Sequence, residues 1–252
     1  MKLLYGVQGT GNGHLSRARA MAAAFARRGA QVDYLFSGRP RERFFAMEPF
    51  GAYRWRQGLT FVNERGRVRY LKTVFGNDYA RFLRDVRTLP LDGYDIIVTD
   101  FEPVTAWAGR LAGRTVVSMG HQPAFDHAVP TACRDLRTAA VMRLFAPGSV
   151  RVGMHWAPYG APLLPPLIDV DGSEAPRRRG KILVYLPFEE PAAVHALLRP
   201  FVAHEFFVYG AESPHRDTGN LRLRPTSLAG FRRDLHDCDG VICNAGFELS
   251  SE

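Results

Sequence analysis

The stretch "YGVQGTGNGHLSRARAMAAAFARRG", residues 5–29, decides how the chain is read. A short apolar run ends in a cluster of glycines and passes straight into a long helix-forming segment. Strand, glycine turn and helix together place backbone N–H groups and a positive helix end around an anion. Two familiar versions are excluded. A P-loop requires GxxxxGK[ST], and the loop contains no lysine. A dinucleotide fingerprint requires GxGxxG, but counting from Gly9 and Gly11 the third glycine position holds His14. The acidic residue expected at the end of the second strand is also missing, because that strand ends at Ser37 and Asp33 lies inside it. What remains is Gly9, Thr10, Gly11, Asn12 and Gly13 leading to His14 at the helix start, with Ser16 just inside. The positive helix end favours uncharged imidazole, the form a general base requires. The alternative is that His14 only helps to cap the helix and the glycines serve close packing.

Working outward, apolar runs of strand type alternate with helical stretches. Strands are expected at 2–8, 30–37, 94–100, 114–120 and 149–156, and helices at 14–28, 39–47, 71–88, 103–112 and 133–145. Several runs are apolar nearly throughout, as in a parallel sheet covered on both faces. This is the rhythm of a doubly wound α/β domain. Residues 51–70 break it and read as short extended pieces or a loop. The proline- and glycine-rich segment 157–180 reads as an interdomain linker. Beyond it the alternation restarts, with strands at 181–187, 204–210, 220–225 and 239–244 and helices at 191–199 and 227–236. The expected domains are therefore 1–156 and 181–252. The second stops at "AGFELSSE" just as a further helix is due, so a fragment of a longer two-domain protein is expected.

The 252 residues include 46% hydrophobic and 23% charged ones, the ordinary globular range. No apolar run reaches the roughly 18 residues of a membrane span, and "MKLLYGVQG" is too short for a signal peptide. Cys133, Cys238 and Cys243 show no CxxC spacing and read as reduced, buried thiols of a cytoplasmic protein. The net charge of +8 comes from arginine, with lysine only at 2, 72 and 181. Base composition of the genome or an acidic partner explains it equally well. Nucleic acid is disfavoured, because no basic run is interleaved with aromatics.

The loop "GTGNGH" with the following "LSRARAMAAAFARRG" resembles the N-terminal motif of GT-B glycosyltransferases, above all the MurG type, whose loop is GGTGGH. It is closer still to a group of bacterial and archaeal glycosyltransferases that begin G-x-G-x-G-H. Residues 98–113, "VTDFEPVTAWAGRLAG", and 118–125, "SMGHQPAF", resemble that group's D-x-E-P and H-Q segments. Residues 241–252, "VICNAGFELSSE", are similar to the stretch where a glycine opens the helix facing the donor diphosphate. The resemblance implies two Rossmann-like domains face to face, the acceptor mainly on the first and a nucleotide-sugar donor on the second. It implies no metal and no cofactor beyond the nucleoside-diphosphate-sugar co-substrate. Gly246, Phe247, Glu248 and Leu249 would face the diphosphate, and Glu252 the ribose hydroxyls. The segment "PFEEP" after residue 186 lacks the glycine-serine pattern of MurG, so uridine specificity is not carried over.

Sugar transfer needs a base for the acceptor hydroxyl and positive potential for the leaving diphosphate, because the reacting carbon passes through an oxocarbenium-like state. The candidate bases are His14, Asp100 and His121, each at or just after the end of an expected parallel strand. A carboxylate such as Asp100 is costly to bury there unless paired or used. Alternatively, it caps the next helix, with Glu102 and Pro103 in the first turn. His121 and Gln122 suit acceptor hydrogen bonds or are ordinary loop residues. Asp100 and Glu102 form a DxE too common to signal a metal. Ser227, Arg232 and Arg233 read as surface features. Arg17, Arg27, Arg28, Arg39, Arg41 and Arg43 would hold the first domain on an anionic membrane if the acceptor were lipid-linked. A nucleotide-sugar epimerase or hydrolase of the same fold, and a non-catalytic binding protein, are the competing functions.

Overall fold

In the computed structural model, residues 1–64, 67–131, 136–168, 176–210 and 213–252 are described. Among the described residues, thirteen strands and seven helices follow one another. They are β1 (Lys2–Gln8), α1 (Asn12–Arg27), β2 (Gln31–Ser37), β3 (Arg54–Trp55), β4 (Asn63–Glu64), β5 (Arg67–Val68), α2 (Tyr70–Gly76), α3 (Tyr79–Thr88), β6 (Ile96–Asp100) and α4 (Pro103–Leu111). Next come β7 (Val116–Gly120), α5 (Leu136–Leu144), β8 (Val150–Gly153), β9 (Lys181–Tyr185), α6 (Pro191–Leu198), β10 (Glu205–Gly210), β11 (Arg216–Thr218), β12 (Leu221–Pro225), α7 (Leu228–His236) and β13 (Gly240–Cys243). Two compact units result. One is Met1–Thr60, Val74–Asp169 and Ser250–Glu252, the other Phe61–Thr73 and Val170–Leu249.

The first unit is built on a six-stranded sheet in the order β3-β2-β1-β6-β7-β8, parallel throughout. Successive residues of β1 point to opposite faces. Leu4 joins Leu35, Ile97 and Val116 under Phe82 and Val86 of α3 and Val104 and Ala108 of α4. Tyr5 turns the other way and meets Phe25 of α1 edge-on at 6.0 Å. The near-continuous apolarity of these strands thus reflects burial on both faces. Gly6 lets α4 approach, since a Cβ there would lie 2.1 Å from Thr105 Oγ1.

The second unit has a five-stranded sheet in the order β11-β12-β10-β9-β13. All pairs are parallel except the β11–β12 edge. Val184, Phe206, Val208, Leu221 and Leu223 pack with Val194 and Leu198 of α6. Leu183, Phe207 and Tyr209 pack on the other face with Phe231 and Leu235 of α7.

Four expectations are corrected. Residues 39–47 form no α-helix, only a 3-10 turn at Arg41–Arg43. Pro40 precedes that turn, and the rings of Phe44, Phe50 and Tyr53 gather round Phe36 at 4.8–5.5 Å, so aromatic burial outweighs helix propensity. The 71–88 helix is broken in two, because Asp78 accepts from the Arg81 N–H and caps α3 afresh. No helix opens at Gly246: residues 247–251 form turns. Cys238 and Cys243 are free thiols, partly exposed rather than buried, and Cys133 lies outside the described residues. Of the 157–180 stretch, Leu164 bridges to Met154 alongside β8.

Candidate active site

The order of the first sheet reverses at β1: the chain steps from β1 out to β2 and β3, then crosses back to β6 on the other side. In open α/β sheets the crevice at the carboxyl ends of strands at such a reversal takes the ligand. Here the carboxyl end of β1 leads into the glycine loop, and that of β6 is Asp100.

The loop is pinned from behind. The Gly9 N–H donates to the Ser37 carbonyl at 2.7 Å. The Gln8 amide donates to Thr10 Oγ1 at 2.9 Å and to the Leu59 carbonyl at 3.0 Å. A Cβ on Gly9 would strike Phe44 and the Ser37 carbonyl at 2.6 Å, so this glycine serves close packing. Around Gly11 the space is open, and no side chain caps α1 there. Asn12 Oδ1 accepts from Arg39 at 2.8 Å. Gly13 lies in the first turn of α1 and directly precedes His14.

His14 Nδ1 stands 2.7 Å from Asp100 Oδ1. Its side chain is 16% exposed and that of Asp100 is 0% exposed. Arg17, one turn further along α1, forks onto the same carboxylate, Nε to Oδ2 at 2.7 Å and Nη2 to Oδ1 at 2.8 Å. Burial works against ionisation of Asp100. The Arg17 guanidinium and then His14 overcome it, holding the carboxyl down at about 2. An ionised Oδ1 is an acceptor only, so the proton of the short contact sits on His14 Nδ1. In the uncharged imidazole with that proton on Nδ1, the lone pair is on Nε2, and among the described residues Nε2 makes no hydrogen bond. Phe101 follows with φ of 54°, a left-handed backbone that non-glycine residues adopt at a cost. Its ring stacks on His14 at 6.3 Å and on Phe145 at 4.7 Å.

Capping falls to a different carboxylate. Glu102 receives the N–H groups of Val104 at 2.8 Å and Thr105 at 2.7 Å, together with the hydroxyls of Ser37 and Thr105. Its burial pushes the carboxyl up, against those hydrogen bonds. Asp100 is thereby left to His14 and Arg17.

His121 follows β7 with Nδ1 3.1 Å from the Met154 carbonyl. Burial is the main cause that lowers its titration, with His155 and Arg17 adding to it. Its ring lies near Phe125, His155 and Trp156 at 4.7, 5.2 and 6.2 Å. The Gly120 that precedes His121 bears on the His14–Asp100 pair. A Cβ there would lie 3.2 Å from Arg17 Nη2 and 3.3 Å from Asp100 Oδ1. Gln122 opens the following 3-10 turn, its Oε1 buried without a hydrogen-bond partner among the described residues.

In the second unit Gly246, Phe247, Glu248 and Leu249 follow β13, the strand beside β9 where that sheet reverses its order. Asn244 donates to Glu189 at 3.0 Å across this reversal. Gly246 is exposed, Glu248 is buried and Glu252 is exposed. Ser227 caps α7 through the Gly230 N–H at 3.1 Å.

Sequence reasoning missed Arg17, which it grouped with membrane-facing arginines. At 2% exposure it is unavailable to a bilayer, whereas Arg27, Arg28, Arg41 and Arg43 are exposed. The signal was its spacing, since residues i and i+3 share a helix face. Phe101, His155 and Trp156 were missed too, and no local pattern marks them. Among the described residues no group of three or more His, Cys, Asp or Glu side chains is placed to hold a metal, and no helix is long and apolar enough to cross a membrane.

Residues 1–252 match the family described as Glycosyl transferase family 1. The chain belongs to that family. No curated protein gives a significant sequence match. Among solved structures, this family 1 chain is similar to MurG of Acinetobacter baumannii, at 13% identity and TM-score 0.51, covering 96% of this chain and 73% of that one. It is similar to SsfS6 of Streptomyces sp. SF2575 complexed with thymidine diphosphate, at 13% identity and TM-score 0.59, covering 99% and 78%. It is also similar to Arabidopsis thaliana UGT89C1 complexed with quercetin, at 11% identity and TM-score 0.61, covering 99% and 75%. These likenesses establish the GT-B fold for the family 1 chain.

Proposed function

We propose that the protein transfers a sugar from a nucleoside-diphosphate-sugar to a hydroxyl of a glycan or lipid-linked acceptor, with His14 as the base. The 2.7 Å contact of His14 with Asp100 at the reversal of a parallel sheet carries this reading. The acceptor O–H gives its proton to His14 Nε2, and its oxygen bonds to the anomeric carbon. The bond from that carbon to the diphosphate oxygen breaks, and the electron pair leaves with the nucleoside diphosphate. A direct displacement of this kind inverts the anomeric centre. Asp100 fixes the tautomer of His14 and balances the imidazolium that forms.

His121 and Gln122 orient the acceptor, and residues 1–156 carry that half of the reaction. Residues 181–252, joined through 157–180, carry the donor. The position of Gly246, Phe247, Glu248 and Leu249 after β13 supports their N–H groups as donors to the diphosphate, with Glu252 toward the ribose. The complex of SsfS6 with thymidine diphosphate supports a nucleotide donor for this fold. No step requires a metal. Kinship with the MurG type rests on the GTGNGH loop, and the reading puts the enzyme in the cytoplasm, at the inner membrane face if the acceptor is lipid-linked.

The test is a panel of nucleoside diphosphates and their sugars, read by thermal stabilisation and by diphosphate release with glycan acceptors. A true donor at a hundredfold excess over its Kd should stabilise the chain by about 2.7 kcal/mol. Stabilisation by NAD alone would overturn the reading. Diphosphate release without an acceptor product would indicate a hydrolase or epimerase, and binding without turnover a binding protein.

A further inference from the structure

The His14–Asp100 pair has a third member whose chemistry the transfer reading does not use. Arg17 is buried and meets both oxygens of Asp100 in a planar fork, while its Nη2 also lies 3.1 Å from His14 Nδ1. A guanidinium is a donor only, and so is a protonated Nδ1, so the two meet at a shared acceptor, Oδ1. The fork fixes the plane of the carboxylate and thereby the direction in which Oδ1 faces the imidazole.

Charge points the same way. An unopposed carboxylate in a buried site draws a proton onto the nearest base. Here a permanent cation already answers it. The groups around the imidazole are Arg17 on its own helix, Asp100 at the end of β6, and Tyr5 on β1, whose hydroxyl lies 3.5 Å from Asp100 Oδ2. His121 after β7 senses Arg17, and Phe101 and Phe145 present apolar rings. Among these, Arg17 is the one fixed positive charge.

We infer that Arg17 is a positioning residue of the active site. By neutralising and orienting Asp100, it keeps His14 uncharged, with the proton on Nδ1 and the lone pair on Nε2. The inference rests on His14 being the base, and it is tested without substrate. The full 252-residue chain, labelled with ¹³C and ¹⁵N in its histidine rings, is titrated by NMR as wild type, Arg17→Gln and Arg17→Lys. In Arg17→Gln the titration midpoint of His14 should move to higher pH by about one unit or more, the size expected for losing a cation at this range. In Arg17→Lys the charge remains but the fork is lost. The midpoint should move much less, while the ring nitrogen shifts should report mixed tautomers. Should Arg17→Gln fail to fold, the tautomer signature in Arg17→Lys carries the test. Midpoint and tautomer equal to wild type in the folded variants overturn the inference. Once a donor is known, Arg17→Gln should move the acid limb of kcat/KM to higher pH by the same amount. A shifted midpoint in a chain that transfers no sugar keeps Arg17's role and removes the transfer reading. Transfer by a chain whose His14 ignores Arg17 does the reverse.

Discussion

His14 and Asp100 stand eighty-six positions apart in the chain and 2.7 Å apart in space. Replacing His14 with Gln keeps the volume and removes the base, so turnover should fall by at least about a hundredfold. The denaturation midpoint should stay near wild type, since this side chain is partly exposed. Asp100→Asn is different in kind. It leaves the buried Arg17 without its counter-charge and should cost about 3–5 kcal/mol, measurable by urea unfolding. The same pair sets an acid limit. The Asp100 value is depressed on folding, so its contribution is fully present above the unfolded carboxylate value of about 3.9. It is lost as the pH falls toward the folded value of about 2. Glu102 runs the other way: its folded value is raised, so protonation relieves it first on acidification. Stability followed from pH 6 to pH 2 should therefore hold through the upper part of that range in wild type and drop below about pH 4. In Asp100→Asn that drop should be smaller.

At the scale of elements, the site depends on how closely α4 lies on β1. Gly6→Ala drives a methyl group into Thr105 and Glu102 and should destabilise by about 1–3 kcal/mol in thermal unfolding, since a packed strand and helix cannot both retreat. The break between α2 and α3 has a simple cause, the Asp78 cap, and Asp78→Ala should cost about 1 kcal/mol. Most elements were legible in the sequence. β1, α1, β2, β6, α4, β7 and the alternation from residue 181 onward follow from side-chain period and from glycine and proline placement, which are local properties. Residues 39–47 were not legible, because their helical pattern competes with the burial of Phe44 against Phe36, a packing contact that side-chain periodicity does not encode. The capping of α4 was half legible: both acidic residues were seen, but their division of labour depends on where Ser37 and Arg17 lie in space.

At the scale of the molecule, each unit has its own buried charge system. In the second unit, Lys181 at the start of β9 is 2% exposed. It donates to Asp234 at 3.0 Å and to Asp237, and it lies 4.4 Å from the Phe207 ring centre. Tyr209 completes the cluster with a 2.6 Å bond to Asp234. Lys181→Met should cost about 3–5 kcal/mol by stranding a buried carboxylate. Hydrogen exchange should locate the loss in β9 and β10, with β1 and β6 unchanged. Amides of β1 exchanging as fast as those of β9 would contradict it.

By itself the sequence determined the kind of protein: two successive α/β units with parallel sheets, and a histidine held at a glycine turn where a strand meets a helix. Those features follow from residue period and backbone sterics, which act over a few positions. Only the tertiary structure decided that Arg17 faces inward, that Glu102 takes the cap and that Asp100 is shared between His14 and Arg17. Each of these outcomes is set by charges and rings far apart in the chain, and their energies exist only once the sheet brings them within a few ångströms of one another.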